Sequence, residues 1–218
     1  RNGMLDRSQL LDAECSELDM YEHDSQHFSQ VVLPYDYDPE AECPLWLQTL
    51  QEVFPQHADG DRRIDVLQEF MGYTLIQHDT TFEKFLILHG QGANGKSTIL
   101  KLWEALLGTD NVSHVGLDAF GSQFGMVEML GKLANIAADM NKMDKVQEGV
   151  LKSLTSGERM QFDRKHRSPI TARPTARLVF ATNNLPPITD RSEGVWRRMI
   201  AMPFYQKFDE AIRDRQRA

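Results

Sequence analysis

A short apolar run, Phe85–Leu88, leads into Gly90-Gln-Gly-Ala-Asn-Gly-Lys-Ser-Thr98, and an amphipathic stretch ending at Leu107 leads out. No other feature narrows so sharply what this chain can fold into. The central stretch fits G-x-x-x-x-G-K-[ST], and its flanks supply the strand and helix that this pattern requires. Gly90, Gly92 and Gly95 permit backbone conformations in which N–H groups converge on phosphate oxygens. The helix Ser97–Leu107 carries Ile99, Leu102, Trp103 and Leu106 on one face and stops at Gly108. Its positive dipole end turns toward the same anion. Within the loop, which Asn94 and Thr98 help build, Lys96 is expected to neutralise β and γ phosphates and the Ser97 hydroxyl to ligate Mg²⁺.

Around this loop the chain reads as a sheet domain. Leu133–Ala138, Arg177–Thr182 and Arg198–Met202 are expected strands, and Val146–Leu154 a helix. Strands alternating with helices from about residue 80 predict an α/β architecture. Upstream, Pro44–Val53 reads as a helix opened by proline. Asp61 to Leu75 reads as a second, from the spacing of Ile64, Leu67, Phe70 and Met71. The longest apolar runs are far too short to span a bilayer, and no signal peptide is visible. Cys15 and Cys43 offer neither metal spacing nor a disulfide framework, so a reducing, cytoplasmic setting is the default.

A P-loop enzyme needs a carboxylate near its Mg²⁺, commonly at the end of an apolar strand. Asp139, after Leu133–Ala138, is expected to hold the ion through its waters; capping the next helix is the common alternative for an aspartate, and its position at a strand end favours the first role. Arg177–Thr182 runs into Asn183-Asn184-Leu-Pro-Pro187, and the Asn183 amide can orient an attacking water beside a γ-phosphate. Taken alone, that segment is also an ordinary turn. Trp196-Arg197-Arg198 precedes the last strand and offers an arginine that can act across a subunit boundary or sit in a surface ion pair.

The net charge of -8 is uneven: residues 1–60 hold 13 acidic residues against Arg1 and Arg7. Residues 145–177 instead hold eight basic residues (Lys145, Lys152, Arg159, Arg164, Lys165, Arg167, Arg173, Arg177) against three acidic ones. A polyanion sees such a local patch, not the whole-chain balance. Met160–Asp163 and Ile170–Arg173 alternate in character around Arg164-Lys165-His166-Arg167, the pattern of a β-hairpin with a cationic tip. Such a tip can track a nucleic-acid backbone; as a charge run, it can also be simply a solvated loop.

In this order, the elements resemble the superfamily-3 helicases, specifically the helicase domain of phage, plasmid and poxvirus-type primase–helicases. The resemblance rests on Gly90–Thr98, Gly131–Asp139, Lys152–Gly157 with its hairpin, Ala181–Pro186, and Gly194–Arg198 leading to Pro203-Phe204, with Gln68–Tyr73 upstream. It implies an AAA+-like P-loop core with a mainly parallel sheet flanked by helices and preceded by a small helical segment. It also implies ATP as the nucleotide, a ring of six identical subunits, a linked primase domain, and single-stranded DNA in the pore, translocated typically 3′ to 5′. Carried over, Lys96 and Ser97 bind nucleotide and Mg²⁺, Asp139 is the acid, Asn183 the sensor, and Arg198 the arginine finger with Arg197 its competitor. Arg164, Lys165, His166 and Arg167 contact DNA. The family often shows Glu or paired acids where this chain has Asp139-Met140-Asn141.

The expected organisation is an acidic linker or upstream-domain end over 1–40, a helical segment over 41–78, the ATPase core over 79–208, and a truncated extension over 209–218, together a helicase-core fragment. Two alternatives keep the nucleotide motifs: a protein remodeller, which needs no cationic hairpin, and a nucleotide switch with little turnover, which the missing second acid favours.

Overall fold

The computed structural model describes residues 3–5, 18–24, 26, 31–55, 60–76, 80–122, 124–138, 147–185, 188 and 193–208. Its centre is a five-stranded sheet built from β3 (Phe85–His89), β4 (Val112–Ser113), β5 (Ala134–Ala137), β8 (Arg177–Thr182) and β9 (Met199–Pro203). The spatial order is β4-β5-β8-β3-β9, and all four pairings are parallel. The expected mainly parallel α/β sheet is therefore present. β8 is buried at all six positions, as a parallel strand covered on both faces must be.

The period of two in β3 divides the core. Leu86 and Leu88 face one cluster, with Leu50, Phe54, Leu67, Phe70, Trp103 and Val179. Phe85 and Ile87 face the other, with Leu117, Phe120, Leu151, Leu154, Phe180 and Val195. The first cluster takes in α1 (Pro44–Val53) and α2 (Gly60–Leu75), so the upstream helices share a core with the sheet and with α3 (Lys96–Leu107). Inside it the indole Nε1 of Trp103 donates to Thr74 Oγ1 at 3.0 Å, which satisfies the one polar atom of a fully buried ring.

α4 (Glu148–Thr155) leads to β6 (Met160–Arg164) and β7 (Arg167–Ala172), which pair antiparallel as a separate two-stranded sheet. This is the expected hairpin, and Lys165-His166 form its two-residue tip. Phe162 is fully buried and anchors its base. Near the N-terminus, β1 (Met4–Leu5) and β2 (Met20–Tyr21) form a short antiparallel pair. The sequence shows no sign of β4 or of this pair, because two residues carry no readable period. The expected start of α4 at Val146 lies outside the described residues.

Candidate active site

In a parallel sheet every strand ends at the same edge. His89 is in register with both Thr182 and Pro203, so β3, β8 and β9 deliver their following residues side by side. The glycine-rich loop leaves β3 there. Gly90 N–H donates to Thr182 O at 3.2 Å, and a Cβ at Gly90 would lie 2.4 Å from both Asn94 Nδ2 and Phe204 O. Only glycine fits that gap. Around Gly92, by contrast, a Cβ would meet nothing within 4 Å among the described residues, which leave the loop open on that side.

Gly95, at φ +90°, is the N-cap of α3, and Ala93 is also left-handed at φ +66°. Alternation of this kind turns successive N–H groups inward. Its N-cap, a glycine, offers α3 no side-chain cap, and the first turn carries no acidic residue. The unsatisfied N–H groups of that turn suit an anion. Ser97 and Thr98 present exposed side chains on it. These features fit a triphosphate and its Mg²⁺.

Lys96 is 7% exposed. Its Nζ donates to Gly90 O, to Asn94 Oδ1 at 3.1 Å and to Asn183 Oδ1 at 3.5 Å. Gly90, Asn94, Lys96 and Asn183, picked from segments almost ninety residues apart, thus meet at one ammonium. Asn183 is exposed beside the loop, following Thr182, whose hydroxyl accepts from Asn184 N–H at 3.1 Å. Asp139 lies outside the described residues. β5, the strand preceding it, ends at this same edge through the pairing of Ala137 with Phe180.

The upstream helices contribute to the site directly. A Cβ on Gly95 would lie 2.7 Å from Val53 Cγ2, so α1 closes over the loop. Arg63 of α2 donates to Pro203 O at 3.0 Å and lies over the rings of Phe54 and Tyr205, 5.2 and 5.3 Å from their centroids. Neither contact has a sequence signal; both depend on tertiary packing.

The arginine pair sits at the opposite edge. Arg198 O accepts from Phe85 N–H at 2.9 Å, where β3 begins rather than ends. Five strand residues separate the two edges, about 16 Å at the usual rise per residue. The two arginines also differ sharply. Arg198 is 8% exposed and donates to Gly194 O at 2.7 Å, Glu83 Oε2 at 2.7 Å and Ser156 Oγ at 2.8 Å. The Arg197 side chain is 63% exposed, and its Nη2 is 3.8 Å from the same Glu83 oxygen. Thr81, Phe82, Glu83, Lys84, Arg197 and Arg198 line a shallow cleft with three cations and one carboxylate. Glu83 was not legible as a site residue, since nothing in its sequence neighbourhood marks it.

At the hairpin, Lys165, His166 and Arg167 are exposed, while Arg164 is half-buried and donates from Nε and Nη2 to Ser168 O at 2.9 and 2.8 Å. Of the four basic residues at and flanking the tip, three are therefore exposed, and the fourth, Arg164, braces the turn. The basic count needs one correction. Arg177 is 4% exposed, bonds Thr175 O and Ile76 O, and stacks 4.4 Å from the Tyr73 ring centroid. It is a structural cation and adds nothing to the surface patch. Among the described residues, no group of three His, Cys, Asp or Glu could hold a metal. No helix there is long and apolar enough to cross a membrane.

A family model described as a family of unknown function, DUF5906, matches residues 88–198, and one described as D5 N terminal like matches residues 1–55. A protein of Acanthamoeba polyphaga mimivirus with a provisional helicase name is 27% identical over 142 residues. That match covers 62% of this chain and 15% of the relative. The apo C-terminal region of NrS-1 aligns with TM-score 0.56 at 16% identity, over 72% of this chain and 37% of that one. JCV Helicase aligns with TM-score 0.52 at 13% identity, over 77% and 46% respectively. The chain thus spans less than half the length of each of these proteins. The matches agree with the superfamily-3 primase–helicase resemblance and with the P-loop fold.

Proposed function

We propose, from the premise that this chain belongs to the DUF5906 family, that it is the ATPase core of a superfamily-3-type DNA helicase whose nucleotide sites are shared between neighbouring copies. The observation that carries the reading is the meeting of Lys96 with Gly90, Asn94 and Asn183 at the glycine-capped start of α3. This is a phosphate cradle with an amide beside it, and it joins the glycine-rich loop to a segment that alone reads as an ordinary turn.

The loop N–H groups and Lys96 hold the phosphates, and Ser97, together with Asp139 as the sequence assigns it, would hold Mg²⁺. When bound, Mg²⁺ neutralises charge on the phosphate oxygens. Asn183 orients water in line with the γ-phosphate. The arginine comes from a neighbour, because both arginines lie a full strand length from their own loop. Of the two, Arg197 is the finger in this reading. Arg198 is committed to three partners in its own chain, whereas Arg197 lies exposed in a cleft of net positive charge that suits a neighbour's phosphate. Lys165, His166 and Arg167 at the tip then follow the backbone of single-stranded DNA in the centre of a ring, six-membered by family likeness.

The test is ATP hydrolysis by the full-length protein, with and without single-stranded DNA, over a range of protein concentrations. Turnover that rises with DNA and more than linearly with protein, and is abolished by Lys96→Ala, is the expected result. Turnover indifferent to DNA would instead favour a protein remodeller, and full activity in Lys96→Ala would remove the P-loop assignment.

A further inference from the structure

We propose that Ser156 and Glu83 are positioning residues that couple the basic hairpin to Arg197 of the same chain. The inference rests on the reading of hairpin and finger given above and adds the link between them.

Arg198 joins three separate elements. Its Nη1 donates to Gly194 O in the short helix α5 (Glu193–Trp196), 2.7 Å away. Its Nη2 donates both to Glu83, in the turn before β3, and to Ser156 Oγ. Ser156 is the C-cap of α4 and stands four residues before the hairpin's first strand. A second contact joins the same two places. Gly157, at φ +62°, would bring a Cβ to within 2.7 Å of Thr80 Cγ2, and Glu83 N–H closes the turn onto Thr80 O at 3.0 Å. The hairpin root therefore presses on the turn that carries Glu83.

Burial makes this junction responsive. A guanidinium at 8% exposure cannot readily replace a lost partner with water, and its Nε already has no partner among the described residues. When the hairpin root moves, Arg198 must follow Ser156 or lose its bond. Either change acts on Glu83, whose one oxygen, Oε2, serves Arg198 at 2.7 Å and Arg197 at 3.8 Å. DNA engaged at the tip thus sets where Arg197 stands in the neighbour's nucleotide site. The sequence distance between tip and finger, more than thirty residues, is bridged by one side chain.

The experiment measures ATP turnover by the full-length protein against single-stranded DNA concentration for wild type, Ser156→Ala and Ser156→Thr. Ser156→Ala should keep basal turnover and DNA affinity at fixed salt. Its ratio of DNA-stimulated to basal turnover should fall by about two- to thirtyfold, the span that single residues in a coupling network reach. Ser156→Thr, which retains the hydroxyl, should restore the ratio. Glu83→Gln should lower it in the same direction. An unchanged ratio in Ser156→Ala beside a stimulated wild type overturns the coupling alone, as does an equal loss of basal and stimulated rates. A wild type that DNA does not stimulate overturns the motor reading and the coupling with it.

Discussion

The two adjacent arginines give the sharpest test, because stability and turnover should separate between them. Arg198→Ala removes bonds to Gly194, Glu83 and Ser156 and strips Glu83 of its close partner. Breaking a fully buried pair costs about 3–5 kcal/mol. The Glu83 side chain is 39% exposed and can rehydrate, so a loss of about 2–3 kcal/mol is expected here. For a domain of this size that lowers Tm by about 4–12 °C. Arg197→Ala removes an exposed side chain with one long ion pair and should stay within about 0.5 kcal/mol of wild type. Its turnover should nevertheless fall by about 10³–10⁵, with nucleotide still bound. Thermal unfolding by circular dichroism and steady-state ATP hydrolysis read the two quantities separately. A mixing assay adds the geometry. Lys96→Ala and Arg197→Ala should each be inactive, but in randomly mixed assemblies about a quarter of shared sites would pair an intact loop with an intact arginine, so activity should return. Silence of the mixture would refute action across the boundary. An Arg198→Ala variant with unchanged Tm and no turnover would refute the division of labour between the pair.

Gly95→Ala should cost about 2–4 kcal/mol, from a left-handed φ of +90° and a methyl 2.7 Å from Val53 Cγ2, and should abolish binding of a fluorescent nucleotide. Adding Val53→Ala in the same chain should return the packing part of the stability, seen as a partial recovery of Tm, and no recovery would count against the contact. Lys165→Ala with Arg167→Ala should lower the slope of log affinity against log salt by about 1.4 for single-stranded DNA, at about 0.7 per lost phosphate contact, and leave basal turnover intact. An unchanged slope removes the tip from DNA binding.

What the sequence revealed is what it encodes in contiguous residues. The strand, loop and helix around Lys96 are written side by side, and β8 appears residue for residue as expected, since its uninterrupted apolar run reports burial on both faces. The hairpin was equally legible from alternation around a charged tip. Residue type without burial was the weak point. Arg177, Arg197 and Arg198 look alike in the sequence, yet one stacks on Tyr73, one is exposed, and one is tied to three elements. The partners that decide between them, Ile76, Glu83 and Ser156, lie about forty to 115 residues away along the chain. No local pattern carries that information.

Backbone conformation draws the same line between legible and hidden, and here it also points to function. Gly95 announces its left-handed φ by being glycine. Glu83, Ala93 and His166 do not, at φ +49°, +66° and +58°, and they are the non-glycine residues with positive φ among those described. Each holds a conformation that costs of order 1 kcal/mol for a residue with a Cβ, and each persists only where its surroundings over-determine it. They fall in the turn beneath the arginine pair, in the phosphate loop and at the tip of the hairpin. Glycine would hold these positions without that cost. At Glu83 the carboxylate that anchors two arginines, and at His166 the cationic tip, need a side chain that glycine lacks. In the reading proposed above, these are three elements that a nucleotide-driven DNA motor has to connect, and Ser156–Arg198–Glu83 supplies a contact between two of them.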